Sequence, residues 1–120
     1  SCYNVYWWWP RYSCYYRSFI NNMSFRCISV KEAEQILDND NLTIIDIRDQ
    51  NSFSNGHIEN AIHVEDLDID NFIKDKNKDE ALLIYCYHGI SSKSAANFFV
   101  HNGFKNVFSL DEGYSGWVAN

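Results

Sequence analysis

From residue 23 to the carboxyl end, short runs of branched apolar residues alternate with stretches of apolar residues at helical spacing, and this alternation predicts the elements. Residues 25–28 read as a first strand, and Ser29-Val30-Lys31-Glu32 spells a capping box that opens a helix with Ala33, Ile36 and Leu37 on its apolar face. Residues 42–47 read as the next strand, with Asp46, Arg48 and Asp49 at its carboxyl end. Residues 52–55 predict at most a brief helix before Gly56-His57-Ile58, and residues 61–64 a third strand. The charged stretch 65–77 still carries Leu67, Ile69, Phe72 and Ile73 as one buried helical stripe, and residues 74–78 read as its solvated end rather than as a binding site. Leu82, Leu83 and Ile84 form a fourth strand leading to Cys86. Ala95, Ala96, Phe99 and Val100 recur at helical spacing until Gly103, residues 107–110 make a fifth strand, and Asp111-Glu112-Gly113 leads into a final turn or helix ending on Trp117. Strands alternating with helices predict a three-layer α/β domain with a five-stranded, mainly parallel sheet. Ligands of such a sheet bind beyond the carboxyl ends of its strands, where Arg48, Cys86 and Asp111 are expected to meet.

Chemistry concentrates between the fourth strand and the helix after it. Cys86-Tyr87-His88-Gly89-Ile90-Ser91 reads as a tight turn in which Gly89 permits a backbone that a side chain would obstruct, with Ser91 or Ser92 as the helix N-cap. Such a turn aims amide groups at the sulfur, and a helix N-terminus stabilises an anion held over it. A thiolate there has a lowered pKa and is expected to be exposed, as a nucleophilic cysteine must be. The competing reading is an inert buried cysteine, a common fate for this residue type.

Composition adds a boundary. The 120 residues carry a formal charge of -6 and are 46% hydrophobic, a soluble acidic globule with no nucleic-acid footprint. Residues 1–22 nevertheless hold nine of the twenty aromatic residues, three of the four tryptophans and the single proline, with a charge of +2 from Arg11 and Arg17. This stretch lacks the pattern of a signal peptide or of a membrane span. It reads as an added or mistranslated leader ahead of a native start at Met23; a membrane-interface anchor or an ordered extension packed on the domain are the alternatives. Residues 23–120 are then a single domain. Cys2, Cys14, Cys27 and Cys86 include no CxxC, so no metal site is expected; Cys2 and Cys14 could pair under oxidation, and a reducing cytoplasmic location is the default.

Three separated motifs resemble the rhodanese family, and most closely its single-domain bacterial thiosulfate sulfurtransferases. Asp46-Ile47-Arg48-Asp49 with Gly56-His57-Ile58 and Ala61 is similar to the family's first signature, Cys86-Tyr87-His88-Gly89 with Ser91-Ser92-Lys93 to its active loop, and Val107, Leu110, Gly113 and Trp117 to its closing signature. Three positions depart from the pattern: Ile90 stands where a polar residue is usual, and Asn60 and Glu112 where glycine is common. Glu112 could distort a turn near the pocket.

The resemblance implies that Cys86 attacks the outer sulfur of thiosulfate and becomes a persulfide, from which cyanide, a small thiol or a protein thiol such as thioredoxin takes the sulfur, with no cofactor. The loop from Tyr87 through Gly89 and Ile90 to Ser92 would bind substrate, with Ser91 and Ser92 either bonding the sulfur or capping the helix. Lys93 reads either as an attractor for dianionic thiosulfate or as a solvated lysine. Asp46 and Arg48 would brace loops by ion pairing, and His57 would be a scaffold histidine beneath the site. His88 would face solvent from the loop, while His63 and His101 receive no role. The nearest rival, a cysteine phosphatase on the same fold, requires an arginine six residues after the cysteine, where this chain has Ser92. Arsenate reduction needs a similar anion clamp and is disfavoured with it. A persulfide relay serving a protein partner is compatible with the same loop, whereas a catalytically inert regulatory domain fits less well with a retained Cys86.

Overall fold

The computed structural model describes residues 24–120. The leader reading of residues 1–22, the start at Met23 and the Cys2–Cys14 pairing lie outside the described residues. Strand β1 spans Arg26–Ile28, β2 Thr43–Asp46, β3 Ile62–His63, β4 Leu82–Tyr85 and β5 Val107–Leu110. Helix α1 spans Val30–Ile36, α2 Gln50–Asn55, α3 Ile69–Asp75, α4 Ser91–His101 and α5 Gly113–Ala119, with a 3₁₀ turn at Val64–Asp66. The capping box of α1 is present with both bonds: the Glu32 amide donates to Ser29 Oγ at 3.1 Å, and the Ser29 amide donates to Glu32 Oε1 at 2.8 Å. The brief helix expected at 52–55 begins earlier, because the Asp49 side chain caps it by accepting from the Ser52 amide.

The strands lie in the order β1-β5-β4-β2-β3, and all four pairings are parallel. Such a sheet is covered on both faces, and β4 shows why its sequence is continuously apolar. Leu82 and Ile84 pack with Phe99, Val100 and Phe104 against α3 and α4. Leu83 and Tyr85 point the other way, into Ile28, Ala33, Ile58 and Leu110 beneath α1 and the closing helix. The expected three-layer α/β architecture is therefore the observed one. Its consequence for chemistry is positional: β2 and β4 are neighbours in register, Asp46 opposite Tyr85, so the residues just past their carboxyl ends are brought together.

Asn60 has φ 72, the single non-glycine residue with positive φ among the described residues. Asparagine tolerates the left-handed region better than most side chains, which accounts for its standing where glycine is common. Glu112, which could have distorted its turn, has an ordinary right-handed backbone at φ -98 and ψ -1, and Gly113 beside it takes the positive φ of 64.

Candidate active site

Cys86 is the first residue beyond β4, and α4 begins at Ser91, five residues on. The turn between them is held from below by the start of α5: the Tyr114 amide donates to the Cys86 carbonyl at 2.8 Å and the Ser115 amide to the Tyr87 carbonyl at 3.0 Å. Two glycines make that nesting possible. Gly89 has φ +87, and a Cβ on it would stand 1.9 Å from the Asp111 carbonyl oxygen. Gly113 has φ +64, and a Cβ there would stand 2.4 Å from the Tyr87 carbonyl.

The sulfur is not exposed as the sequence led one to expect. Cys86 retains 6% of its accessible surface and is reached through a cavity of 180 Å³. The Ser92 amide donates to Cys86 Sγ at 3.3 Å. Burial by itself raises the thiol pKa, but hydrogen bonds from the Ser91 side chain, from the Ser92 side chain and amide, and from the Gly89 amide outweigh it and bring the thiol down to about 7. Cys86 is a free thiol, poised to ionise near neutrality.

Neither Ser91 nor Ser92 is the N-cap of α4. That position is Ile90, in right-handed backbone and with no capping bond from its side chain. The amide of Ser92 would ordinarily be satisfied by a cap oxygen. Here the sulfur of Cys86 takes that place, and the Ser92 hydroxyl turns inward to lie 2.8 Å from Ser109 Oγ on β5, both side chains being buried.

The cavity wall opposite the loop comes from Ile47, Arg48 and Asp49; the loop side comes from Tyr87, His88, Ile90 and Ser91. Gly89 acts on the sulfur through its amide and Ser92 through both amide and hydroxyl, but neither lines the cavity, and Lys93, half-buried on the first turn of α4, and Asp111 do not line it either. His88 is exposed, with Nδ1 3.2 Å from Ser115 Oγ. Tyr87 hydrogen-bonds through its hydroxyl to Ser52 Oγ, and Ser52 Oγ bonds Asp49 Oδ1 at 2.7 Å. The Ser52 side chain and then its amide hold the Asp49 carboxyl below the usual range. A larger cavity of 440 Å³ opens beside Ala81 and Asn106, at the amino ends of β4 and β5, and its lining has neither thiol nor cation.

Arg48 braces the site. Its Nε lies 3.1 Å from each Asp46 carboxylate oxygen, and its Nη2 donates to Asp46 Oδ2 and to the Gly56 carbonyl, each at 2.7 Å. Burial lowers the guanidinium pKa, but the Asp46 hydrogen bond and charge raise it further, and the net shift is upward. The cation also sits 4.0 Å from the Tyr114 ring centroid and 5.1 Å from that of Tyr87, tying β2, α5 and the active loop together. His57 is not beneath the site. It is exposed, stacked on Phe53 at 3.8 Å with Nδ1 2.8 Å from the Phe53 carbonyl. The buried histidine is His63, whose Nε2 lies 2.6 Å from the Arg48 carbonyl. Tyr85, also unforeseen, is fully buried, and its hydroxyl accepts from the Ile58 amide at 3.1 Å; burial, then a hydrogen bond to Asp46, raises its pKa. No group of three or more metal-ligating side chains occurs among the described residues. No helix among them is long and apolar enough to cross a membrane.

Known proteins resemble this chain in sequence and fold. Residues 29–120 match the rhodanese-like domain family. The thiosulfate sulfurtransferase GlpE of Shewanella oneidensis is 43% identical over 94 residues, covering 78% of this chain and 93% of that protein. GlpE of Pseudoalteromonas translucida is 39% identical over 97 residues, covering 81% and 92%. Among solved structures, a rhodanese-like domain protein from Staphylococcus aureus superposes with a TM-score of 0.64 at 26% identity, covering 77% of this chain and 90% of its own. With a five-stranded parallel sheet, a free cysteine in the loop after β4 and relatives matched over most of their length, the chain belongs to the rhodanese family.

Proposed function

We propose that the protein is a thiosulfate sulfurtransferase working by ping-pong chemistry through a persulfide on Cys86. The observation that carries this reading is the free thiol brought down to about 7 at the amide-lined start of α4. A thiolate there attacks the outer sulfur of thiosulfate; the new Cys86 S–S bond forms as the donor's S–S bond breaks, and sulfite departs with the bonding pair. The persulfide carries the same single negative charge as the thiolate it replaces. Hydrogen-bond donors at the start of α4 that favour the first anion would also favour the second, whose charge sits mainly on the outer sulfur. Cyanide, a small thiol or a thiol protein such as thioredoxin then attacks the outer sulfur and releases the Cys86 thiolate. The names of the GlpE relatives support thiosulfate as donor.

Intact and peptide mass spectrometry tests the reading. After incubation with thiosulfate and removal of the excess, one added sulfur is expected on Cys86, and cyanide should strip it as thiocyanate. Cys86→Ser should abolish adduct and turnover while leaving the thermal melt nearly unchanged at or below pH 7. A cyanide-labile sulfur persisting in that variant would sink the proposal.

A further inference from the structure

His88 is the ionisable residue on the cavity wall to which the sulfur-transfer chemistry gives no part. It is exposed on the active loop and lines the 180 Å³ cavity that leads to Cys86. Its Nδ1 lies 3.2 Å from Ser115 Oγ, and the single hydroxyl proton of Ser115 is directed at the Glu112 carbonyl, 3.1 Å away. With a neutral ring, both contacts are hydrogen bonds only when Nδ1 carries the proton and donates to Ser115. Nε2 is then left with its lone pair, and it takes no hydrogen bond from the described residues. The other ionisable groups on the wall are engaged. The Arg48 guanidinium has no lone pair to offer and is tied to Asp46 and the Gly56 carbonyl. Asp49 accepts from the Ser52 amide and hydroxyl, which hold its carboxyl below the usual range and make it a weaker base. Since the Ser52 hydroxyl gives its proton to Asp49, the Tyr87 phenol stands as donor to Ser52.

The two half-reactions differ in their need for a base. Cys86 ionises near 7 through its own donors and can attack unaided. An ordinary alkyl thiol, at about 8.5, is only about 3% ionised at pH 7, and its thiol form is a poor nucleophile toward the persulfide. Resting on the sulfur-transfer reading of Cys86, we propose that His88 is a catalytic residue of the second half-reaction, its Nε2 acting as general base toward a thiol acceptor. The thiol gives its proton to Nε2 as its sulfur bonds to the outer sulfur of the persulfide. The S–S bond to Cys86 breaks, and the Cys86 thiolate leaves with the bonding pair. A neutral thiol, a neutral imidazole and one persulfide anion become an imidazolium, a product persulfide anion and the Cys86 thiolate, so total charge is conserved and no outside redox partner enters. The imidazolium offsets the charge of the two anions as they separate, then returns its proton to water or to the product.

The test starts from protein loaded with sulfur by thiosulfate and freed of the excess, so that the second half-reaction is read alone. Decay of the Cys86 persulfide is followed at pH 7 by quenched-flow mass spectrometry with 2-mercaptoethanol, a thiol protonated at that pH, or with 4-nitrothiophenol, one already ionised. His88→Asn sets a carboxamide nitrogen in place of Nδ1, so a donor to Ser115 remains while the base is lost. The variant should slow transfer to 2-mercaptoethanol at least about fivefold more than transfer to 4-nitrothiophenol, because only the first thiol has a proton to give up. A purely structural role for His88 would slow both thiols alike. A smaller difference between the two, including no slowing at all, would overturn the proposal, while the persulfide on Cys86 would leave the sulfurtransferase reading standing. Absence of that persulfide in the unmodified protein would overturn both.

Discussion

The amide of Ser92 donates to Cys86 Sγ at 3.3 Å, while the hydroxyl of the same serine lies 2.8 Å from Ser109 Oγ. One residue thus serves the sulfur with its backbone and the sheet with its side chain, and the Ser92 hydroxyl also helps lower the Cys86 thiol. Ser92→Ala should leave the buried Ser109 hydroxyl without this partner, at a cost of about 1–3 kcal/mol. It should also move the Cys86 titration upward. Ser109→Ala should cost stability but not raise that titration, and the double variant should be less destabilised than the sum, since neither hydroxyl remains to be satisfied. Urea unfolding with alkylation rates across pH reads both quantities; strict additivity with no change in titration would show that the two serines act independently of the sulfur.

The nesting of the active loop on the segment after β5 makes Gly89 far less replaceable than a glycine that has only positive φ. Gly103 also has φ +99, but the nearest atoms to a Cβ there belong to the flexible Lys78 side chain at 3.7 Å or beyond. Gly103→Ala should therefore cost only the left-handed backbone penalty, about 1–2 kcal/mol. Gly89→Ala meets the Asp111 carbonyl at 1.9 Å, backbone that cannot rotate away, and should cost about 3 kcal/mol or more, with loss of Cys86 reactivity. Equal melting temperatures for the two variants would contradict the close approach.

What the sequence disclosed was whatever depends on near neighbours. Ser29 and Glu32 form their capping box from a four-residue pattern, and the strand and helix around Cys86 follow from residues within one short stretch. Hidden parts depend on what the fold brings from elsewhere. Ser92 has the composition of a cap, but the sulfur of Cys86 claims its amide and Ser109, seventeen residues away, claims its hydroxyl. His57 and His63 look alike in sequence; only the pairing of Asp46 with His63 between β2 and β3 decides that His63 is the buried one. Tyr85 could have been suspected from its place at the end of an apolar strand, where a buried phenol must find partners, but the partners Asp46 and Ile58 come from other segments.

Arg48 and Asp46 form a buried pair whose side chains retain 2% and 0% of their exposure. Arg48→Lys keeps the charge but loses the fork that reaches Asp46 and Gly56 together, and should cost roughly 1.5–3 kcal/mol. Arg48→Met strands a buried carboxylate and should cost more, about 3–5 kcal/mol. Denaturant midpoints at pH 7 give the order directly. If methionine proved no worse than lysine, the stability of this corner would come from packing on Tyr114 rather than from the ion pair.

The lowered thiol fixes the pH dependence of the first chemical step and its sign. Only the thiolate attacks, so persulfide formation should rise as protons leave, pass half-maximum at about 7 and level off above about 8. Below the midpoint the rate should fall about tenfold per pH unit, whereas an unshifted thiol at 9.0 would be only about 1% ionised at pH 7. The same shift acts on stability. Because the folded pKa lies below the unfolded one, Cys86 contributes stability that is fully present above about pH 9 and is lost as pH falls through about 7, of order 2–3 kcal/mol in total. The unmodified protein should therefore gain on Cys86→Ser between pH 6 and pH 9 in urea unfolding, and its iodoacetamide reactivity should trace the same midpoint as sulfur transfer. A reactivity midpoint near 9, with a stability difference flat in pH, would mean that the Ser91, Ser92 and Gly89 donors do not stabilise the sulfur anion.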